Sequence, residues 1–361
     1  MASVTIKNLE SAFDLTIKDR EFVVLAGPGT SAIIRAIAGL DGLSQGEIFF
    51  DDRRIDGLAS KDRDIALLSH DYTPYPGLSV FENLAIGLRR RNFAETEIKK
   101  RITAVAAALG LETQLETNAE SLAVEQRRFV GLARAMVRQP KVYLFNEPFA
   151  GLEPRAIQRG RGEIVKLHQR SSATIIYATG RPAEALAFGE RTVVILNGVI
   201  QQDDLAQNIY DAPANMTVAR FFGDPPMNLV TGQLKEARNG VVFSEAGDGT
   251  IAVQLPADRF SGAKEFLGKP VVLGFRPENA EITDSTESGK DGGAFRALVE
   301  RTEQRGSGTD LYLQTGAHAL IARSLSPVPQ TQAGQRLQFR VSLERAHLFD
   351  PESGRRVTLE P

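Results

Sequence analysis

The residues best suited to chemistry lie in Gly27-Pro28-Gly29-Thr30-Ser31. They follow an apolar run, Glu21 to Ala26, that reads as a buried strand. They precede Ser31 to Leu40, where apolar residues recur at helical spacing and stop near Gly42. Strand, glycine turn and helix form the local unit that opens many nucleotide-binding α/β domains. A helix start near Ser31 attracts an anion weakly, by roughly 0.3–1 kcal/mol. Other chemistries are poorly served. With no cysteine in the chain there is no disulfide framework, thiolate ligand or thiol nucleophile. Four histidines, His70, His168, His318 and His347, are scattered without metal-ligand spacing. A lone histidine such as His70 is more often packed or solvated than bound to a metal.

The elements that must position these residues change character along the chain. The length of 361 residues suggests two domains. Hydrophobic residues at 42% and charged residues at 24% are ordinary for a soluble globular protein. A net charge of −2 provides no basic field for nucleic acid or anionic lipid. The N-terminus, MASVTIKNLE, has no signal-peptide pattern, and no run of about 18 apolar residues is present to span a bilayer. Together with the missing cysteines this fits a reducing cytoplasm, and any membrane role must pass through a partner. Short strands are expected at Gln45 to Ile55 (with a turn at Asp51-Asp52), Ile65 to Leu68, Lys141 to Phe145, Thr174 to Tyr177 and Thr192 to Leu196. Helices are expected at Ala94 to Leu109, stopped by Gly110, and at Gln126 to Met136. This alternation argues for a mainly parallel sheet. After Phe222, the stretch Gly223-Asp224-Pro225-Pro226 reads as a linker. Beyond it, closely spaced strands such as Gly240 to Phe243, Val271 to Phe275 and Leu337 to Val341 give an all-β sandwich or small barrel.

At this point an ordered series of fragments resembles a known family. Ile37-Ala38-Gly39-Leu40, Arg63 to Ala66, Asp71 to Leu84, Gly131-Leu132-Ala133-Arg134-Ala135 and Tyr210 to Asn215 are similar to segments of ABC importer ATPases of the sugar and glycerol-phosphate type. Gly274-Phe275-Arg276-Pro277-Glu278 and His347 to Asp350 resemble that family's small OB-like (TOBE) regulatory domain. The resemblance implies an α/β, P-loop ATPase-like domain with a helical subdomain over residues 1–225, then an all-β OB-like domain over 230–361. It also implies ATP and Mg²⁺ as ligands and integral-membrane permease subunits as partners. A second ATP-binding subunit would complete a homo- or heterodimer, with no role for nucleic acid. The chain would sit in the cytoplasm, peripheral to the membrane through permease contacts.

Carried over residue by residue, the nucleotide site departs from the family pattern. The phosphate loop has four residues between its first glycine and its Gly-Lys pair. Here Pro28 alone separates Gly27 from Gly29, three residues fewer, and Thr30 replaces the lysine, while Ser31 keeps the Mg²⁺-binding hydroxyl. Read without the family, Gly-Pro-Gly-Thr is a tight strand-to-helix turn with Thr30 as cap. Asn146 stands where the family has the metal-holding Asp, and Glu147 keeps the position of the water-activating base. Glu147-Pro148 also reads simply as strand-end structure. Glu153 replaces the Asp that ends the following segment, a mild change. The signature Leu-Ser-Gly-Gly-Gln is replaced by Leu122-Ala123-Val124-Glu125-Gln126. Its phosphate-facing serine and glycines are gone, and a negative charge stands where γ-phosphate would approach. His70 replaces a glutamine that contacts Mg²⁺, and Gly180 replaces a histidine that senses γ-phosphate. Asn8 to Ile17 is too short for the hairpin that carries the family's adenine-stacking aromatic, and Phe13 reads as core. By contrast Tyr72, Tyr75-Pro76 and Ser79 to Leu84, the permease-facing segment, keep the family pattern.

In the family, each ATP site joins the phosphate loop of one subunit to the signature of the other. Damage to both in one chain spoils one half of each site. The favoured reading is therefore an ATP-binding-cassette subunit with impaired or absent hydrolysis, acting as a structural or regulatory component at the permease. The alternatives are an active ATPase subunit with atypical motifs and a ligand-sensing protein acting through the OB-like domain.

Overall fold

A computed structural model describes residues 2–9, 13–171, 173–237, 240–256, 260–283, 292–306, 308–325 and 333–357. The chain divides into two compact units, Met1–Ala206 and Gln207–Pro361. Residues 207–222 thus group with the second unit, ahead of the linker at Gly223. The turn between Asn8 and Ile17 includes positions outside the described residues.

In the first unit, β1 (Val4–Leu9), β2 (Phe13–Ile17), β4 (Glu47–Phe50) and β5 (Arg53–Arg54) make an antiparallel sheet in the order β2-β1-β4-β5. The second sheet runs β10-β9-β3-β8-β7-β6. It is built from β3 (Phe22–Ala26), β6 (Ile65–Ser69), β7 (Val142–Asn146), β8 (Thr174–Thr179), β9 (Arg191–Leu196) and β10 (Val199–Leu205). Its strands pair in parallel except at the β10 edge. β3, β7 and β8 are buried along their whole length, because both faces of a parallel sheet are covered. Alternation sends Val142 and Leu144 into one core with Val23, Ile34, Ile37 and strands β1 and β4. Tyr143 and Phe145 face the other way, in a line of aromatic rings that continues to Tyr177 and Phe188. α1 (Thr30–Ala38) contributes Ile33, Ile34 and Ile37 to the first core. Phe13 is half-buried and packs against that core, as its spacing suggests.

The helical part consists of α2 (Val80–Arg89), α3 (Glu95–Leu109) and α4 (Val124–Arg138). Ser79 caps α2, its Oγ accepting from Glu82 N–H at 3.2 Å. Gly110 ends α3 at φ 66°, a conformation glycine adopts without strain. α5 (Pro154–Arg170) is a long helix where the sequence analysis places none, and α6 (Pro182–Phe188) precedes β9.

The second unit opens with α7 (Ala206–Asp211, whose first residue belongs to the preceding unit) and α8 (Met216–Phe221). Among the described residues ten strands follow: β11 (Asn228–Ala237), β12 (Gly240–Glu245), β13 (Ala252–Leu255), β14 (Pro270–Phe275), β15 (Ala280–Ile282), β16 (Gly292–Arg305), β17 (Gly308–Gln314), β18 (Ala319–Ser324), β19 (Arg336–Ser342) and β20 (His347–Phe349). They form two five-stranded antiparallel sheets, β13-β12-β11-β14-β20 and β15-β19-β16-β17-β18, over one shared apolar core. Period-two alternation, clear in β12 and β17, directs Val241 and Phe243, Leu311 and Leu313 inward.

Candidate nucleotide site

Gly27 leaves β3 at φ 143°, its N–H donating to Thr179 O at 3.0 Å. A Cβ at this position would lie 1.9 Å from the Ile195 carbonyl oxygen, so only glycine fits. Pro28 is exposed. Gly29, at φ 87°, is the N-cap of α1, and no side chain caps the helix. Thr30 is therefore the first helical residue and not the cap that the sequence suggests. A cap needs a non-helical backbone, and Gly29 adopts one at little strain. The Thr30 side chain is 2% exposed, and its Oγ1 donates to Gly27 O at 2.9 Å. Where a lysine would project from the turn, a hydroxyl folds back into it. No lysine or arginine stands between Gly27 and Ser31.

Gly27 and Ser31 each link this turn to the end of a neighbouring strand, and further hydrogen bonds join the ends of β6, β7 and β8 to one another. Ser31 Oγ donates to Asn146 Oδ1 at 2.7 Å, and Asn146 is buried. His70 N–H donates to Asn146 O at 3.0 Å, which brings the His70 backbone to the site while the residue itself is exposed. Glu147 follows β7 directly. Its N–H donates to Ala178 O at 2.9 Å, and its backbone stands at φ 45°, left-handed and strained for a non-glycine residue. Its Oε1 accepts from Gly180 N–H at 2.9 Å. A Cβ on Gly180 would lie 3.2 Å from that oxygen. The structure thus gathers Gly27 to Ser31, Asn146, Glu147 and Gly180 around the C-terminal ends of β3, β7 and β8, the place where ligands bind in open α/β sheets. Among the described residues, no group of three or more His, Cys, Asp or Glu is arranged to hold a metal.

Ala123, Val124, Glu125 and Gln126 are placed elsewhere, at the start of α4. Ala123 is extended and its N–H donates to Gln126 Oε1 at 3.2 Å, one half of a capping box. Val124, the first helical residue, is 55% exposed. Glu125 pairs with Arg159 at 3.3 Å, and the Arg159 guanidinium lies 3.9 Å over the Phe129 ring. Among the described residues, none of these four shares a hydrogen bond or ion pair with the turn at Gly27 or with Asn146, Glu147 and Gly180.

The segment with Tyr72, Tyr75 and Ser79 to Leu84 is tightly built. Asn83 is fully buried. Its Oδ1 accepts from Tyr75 N–H at 2.7 Å, and its Nδ2 donates to Ser79 O at 3.0 Å. The Arg134 guanidinium lies 4.7 Å from the Tyr72 ring centre and 4.9 Å from that of Tyr75. Arg128 donates to the Ser69 and Tyr72 carbonyls at 3.4 and 3.3 Å. Burial raises the Tyr72 phenol above its ordinary range. In the sequence Arg134 stands out only as part of a fragment, and Arg128 and Arg159 carry no local signal. Contacts that cross from α4 to β6 and α5 leave no local spacing to read.

Residues 11–150 match the ABC transporter family, residues 223–280 the MalK OB fold domain and residues 273–349 the TOBE domain. The chain is 36% identical over 370 residues to an uncharacterized ABC transporter ATP-binding protein, YurJ, of Bacillus subtilis, with 98% of this chain and 99% of that protein covered. It is 35% identical to the oligosaccharides import ATP-binding protein MsmX of the same species, covering 96% and 94%. It is 33% identical to the sn-glycerol-3-phosphate import ATP-binding protein UgpC of Escherichia coli, covering 95% and 93%. Likeness over nearly the full length, with the domains in the same order as the two compact units, leaves one conclusion: the chain belongs to the family of ABC transporter ATP-binding proteins, with an ABC ATPase domain followed by OB-fold domains of the MalK and TOBE types.

Proposed function

We propose that the chain is the ATP-binding-cassette subunit of a carbohydrate-type ABC importer that binds ATP weakly or not at all and serves as a structural or regulatory component at the permease. The solute class follows from the import functions of the oligosaccharide and glycerol-phosphate relatives. The observation that carries the rest is the turn from Gly27 to Thr30, which is closed on itself by the Thr30–Gly27 hydrogen bond. A triphosphate requires a nest of backbone N–H donors and a fixed cation. This turn has neither the length nor the charge. The Ser31 hydroxyl and the Asn146 amide oxygen satisfy each other, so Mg²⁺ would have to break that bond and gain no carboxylate in return. The residues present do not fit Mg-ATP, and phosphoryl transfer depends mainly on such electrostatic positioning.

The permease-facing segment supports the other half of the proposal. Tyr72, Tyr75, Asn83 and Arg134 form a connected set of contacts, with Asn83 buried in α2 and Tyr75 exposed. Among the described residues no helix is long and apolar enough to cross a membrane, so attachment at the inner face would run through permease subunits. A second ATP-binding subunit, identical or intact, would complete the assembly.

A second reading, an active subunit with atypical residues, is favoured by one observation: Glu147 still stands at the end of β7 beside Ser31 and Asn146. Phosphate release by the purified full chain, alone and co-expressed with its permease, separates the two. Under the proposal, the complex forms and release stays at the level of a protein-free blank. Release above the blank that is lost in Glu147→Gln establishes the second reading instead.

A further inference from the structure

Away from the nucleotide-site residues, a cavity of about 500 Å³ opens in the first unit between the ends of α4 and α5 and the start of β7. Its size falls within the roughly 300–1,000 Å³ range of small-molecule sites. Val105, Met136 and Leu167 give it an apolar wall. Its polar groups are mostly donors. Lys166 is paired with Glu163 at 2.7 Å. Lys141 and Arg170, by contrast, have no ion-pair or hydrogen-bond partner for their side chains among the described residues. The ends of two helices add partial negative charge of about half a unit each. Three cations against one carboxylate still leave the wall net positive.

The most informative lining residue is Tyr143. Its ring is 1% exposed and stacks against Phe145, with centroids 6.1 Å apart and planes 3° apart. Its hydroxyl finds no hydrogen-bond partner among the described residues, yet the residue lines the cavity. A core position that needed only packing would be filled as well by phenylalanine. A tyrosine that lines a cavity beside Lys141 and Arg170, neither of them paired among the described residues, has the form of a ligand contact.

We propose that this cavity binds a small organic anion with an apolar body, its phosphate or carboxylate head held by Lys141, Arg170 and the Tyr143 hydroxyl, and its tail lying on Met136 and Leu167. The site is separate from the nucleotide-site residues. Tyr143 and Asn146 are three residues apart on β7, about 10 Å along the strand. The proposal therefore stands whether or not the chain hydrolyses ATP.

The test titrates the full chain, without nucleotide, with octyl phosphate and in parallel with octanoate, octanol and octyltrimethylammonium, followed by calorimetry. Saturable binding at one site is expected for at least one of the two anions, and the stronger of the two identifies the head group. Octanol and the ammonium compound are expected not to saturate. Arg170→Glu and Lys141→Glu, both at exposed positions, should each weaken the anion at least about tenfold, the scale of a lost charge-assisted hydrogen bond. Tyr143→Phe, which keeps the ring and its packing, should weaken it several-fold. Absence of saturable binding by both anions, equal binding by octanol, or wild-type affinity in both charge-reversed variants would overturn the proposal.

Discussion

The Glu147 carboxylate accepts a hydrogen bond from the backbone N–H of Gly180 at 2.9 Å. This ties the end of β7 to the end of β8 and holds Glu147 in a left-handed conformation at φ 45°. Under the proposed function, this carboxylate acts as a structural acceptor at the position where the family resemblance expects a water-orienting group. Glu147→Gln retains an acceptor oxygen and is expected to change stability by less than about 0.5 kcal/mol, whereas Glu147→Ala should lose roughly 1 kcal/mol. Urea unfolding of the two variants measures the difference. Equal losses would mean that the bond contributes nothing.

Restoring a single family residue should not restore chemistry. Thr30→Lys puts a cation at the right point in the sequence, but on a side chain that is buried and bonded to Gly27 O. The loop stays short, and Asn146 and Gly180 remain unchanged. The variant is expected to lose about 1–3 kcal/mol, because a lysine must leave the interior and the hydroxyl bond is gone. Phosphate release should stay at the blank. Turnover by this single variant would contradict the proposal.

The fold was largely readable because buried parallel strands such as β7 and β8 are short apolar runs bounded by turn residues. Helix α5 was not. Gly160 and Gly162 lie in its interior and lower its helical propensity by about 1 kcal/mol each. Gly160 has a tertiary reason, since a Cβ there would lie 2.3 Å from the Phe149 ring. That packing is invisible in sequence. At the site, the short loop and missing lysine could be read directly from spacing. The identity of the cap could not, because Gly29 and Thr30 are both common at helix starts and only the backbone angle decides between them. Nor could the Glu147–Gly180 bond, which joins residues 33 positions apart.

The two turn glycines should behave very differently when substituted. Gly27→Ala forces a methyl group to 1.9 Å from the Ile195 carbonyl oxygen at a φ of 143°, and is expected to cost more than about 3 kcal/mol or prevent folding. Gly29→Ala meets open space at φ 87° and should cost about 1–2 kcal/mol, for backbone strain alone. Thermal unfolding of both variants checks the ordering. A Gly27→Ala protein as stable as Gly29→Ala would show that the tight turn is wrongly placed.

In the second unit, Glu245 is a fully buried carboxylate with three donors. Ile251 N–H reaches it at 2.9 Å, Thr315 Oγ1 at 2.5 Å and His318 Nδ1 at 2.7 Å. The other imidazole nitrogen, Nε2, accepts from Thr231 N–H at 3.1 Å, which fixes the neutral Nδ1–H tautomer. Glu245→Ala strands all three donors and should destabilise the chain by roughly 1–3 kcal/mol for each donor left without a partner. Glu245→Gln keeps an acceptor for most of them and should cost less than half as much. Denaturant melts of the two variants read this directly, and similar losses would argue against a hydrogen-bonded role for the carboxylate.

The shortest route to the central question is an equilibrium titration of the intact chain with ATP in excess Mg²⁺, alongside a phosphate-release assay. Without a cation or an open ring of amide donors between Gly27 and Ser31, no saturation is expected below about 1 mM, a binding free energy weaker than about −4 kcal/mol. A micromolar dissociation constant accompanied by turnover would show that this short turn does hold a triphosphate.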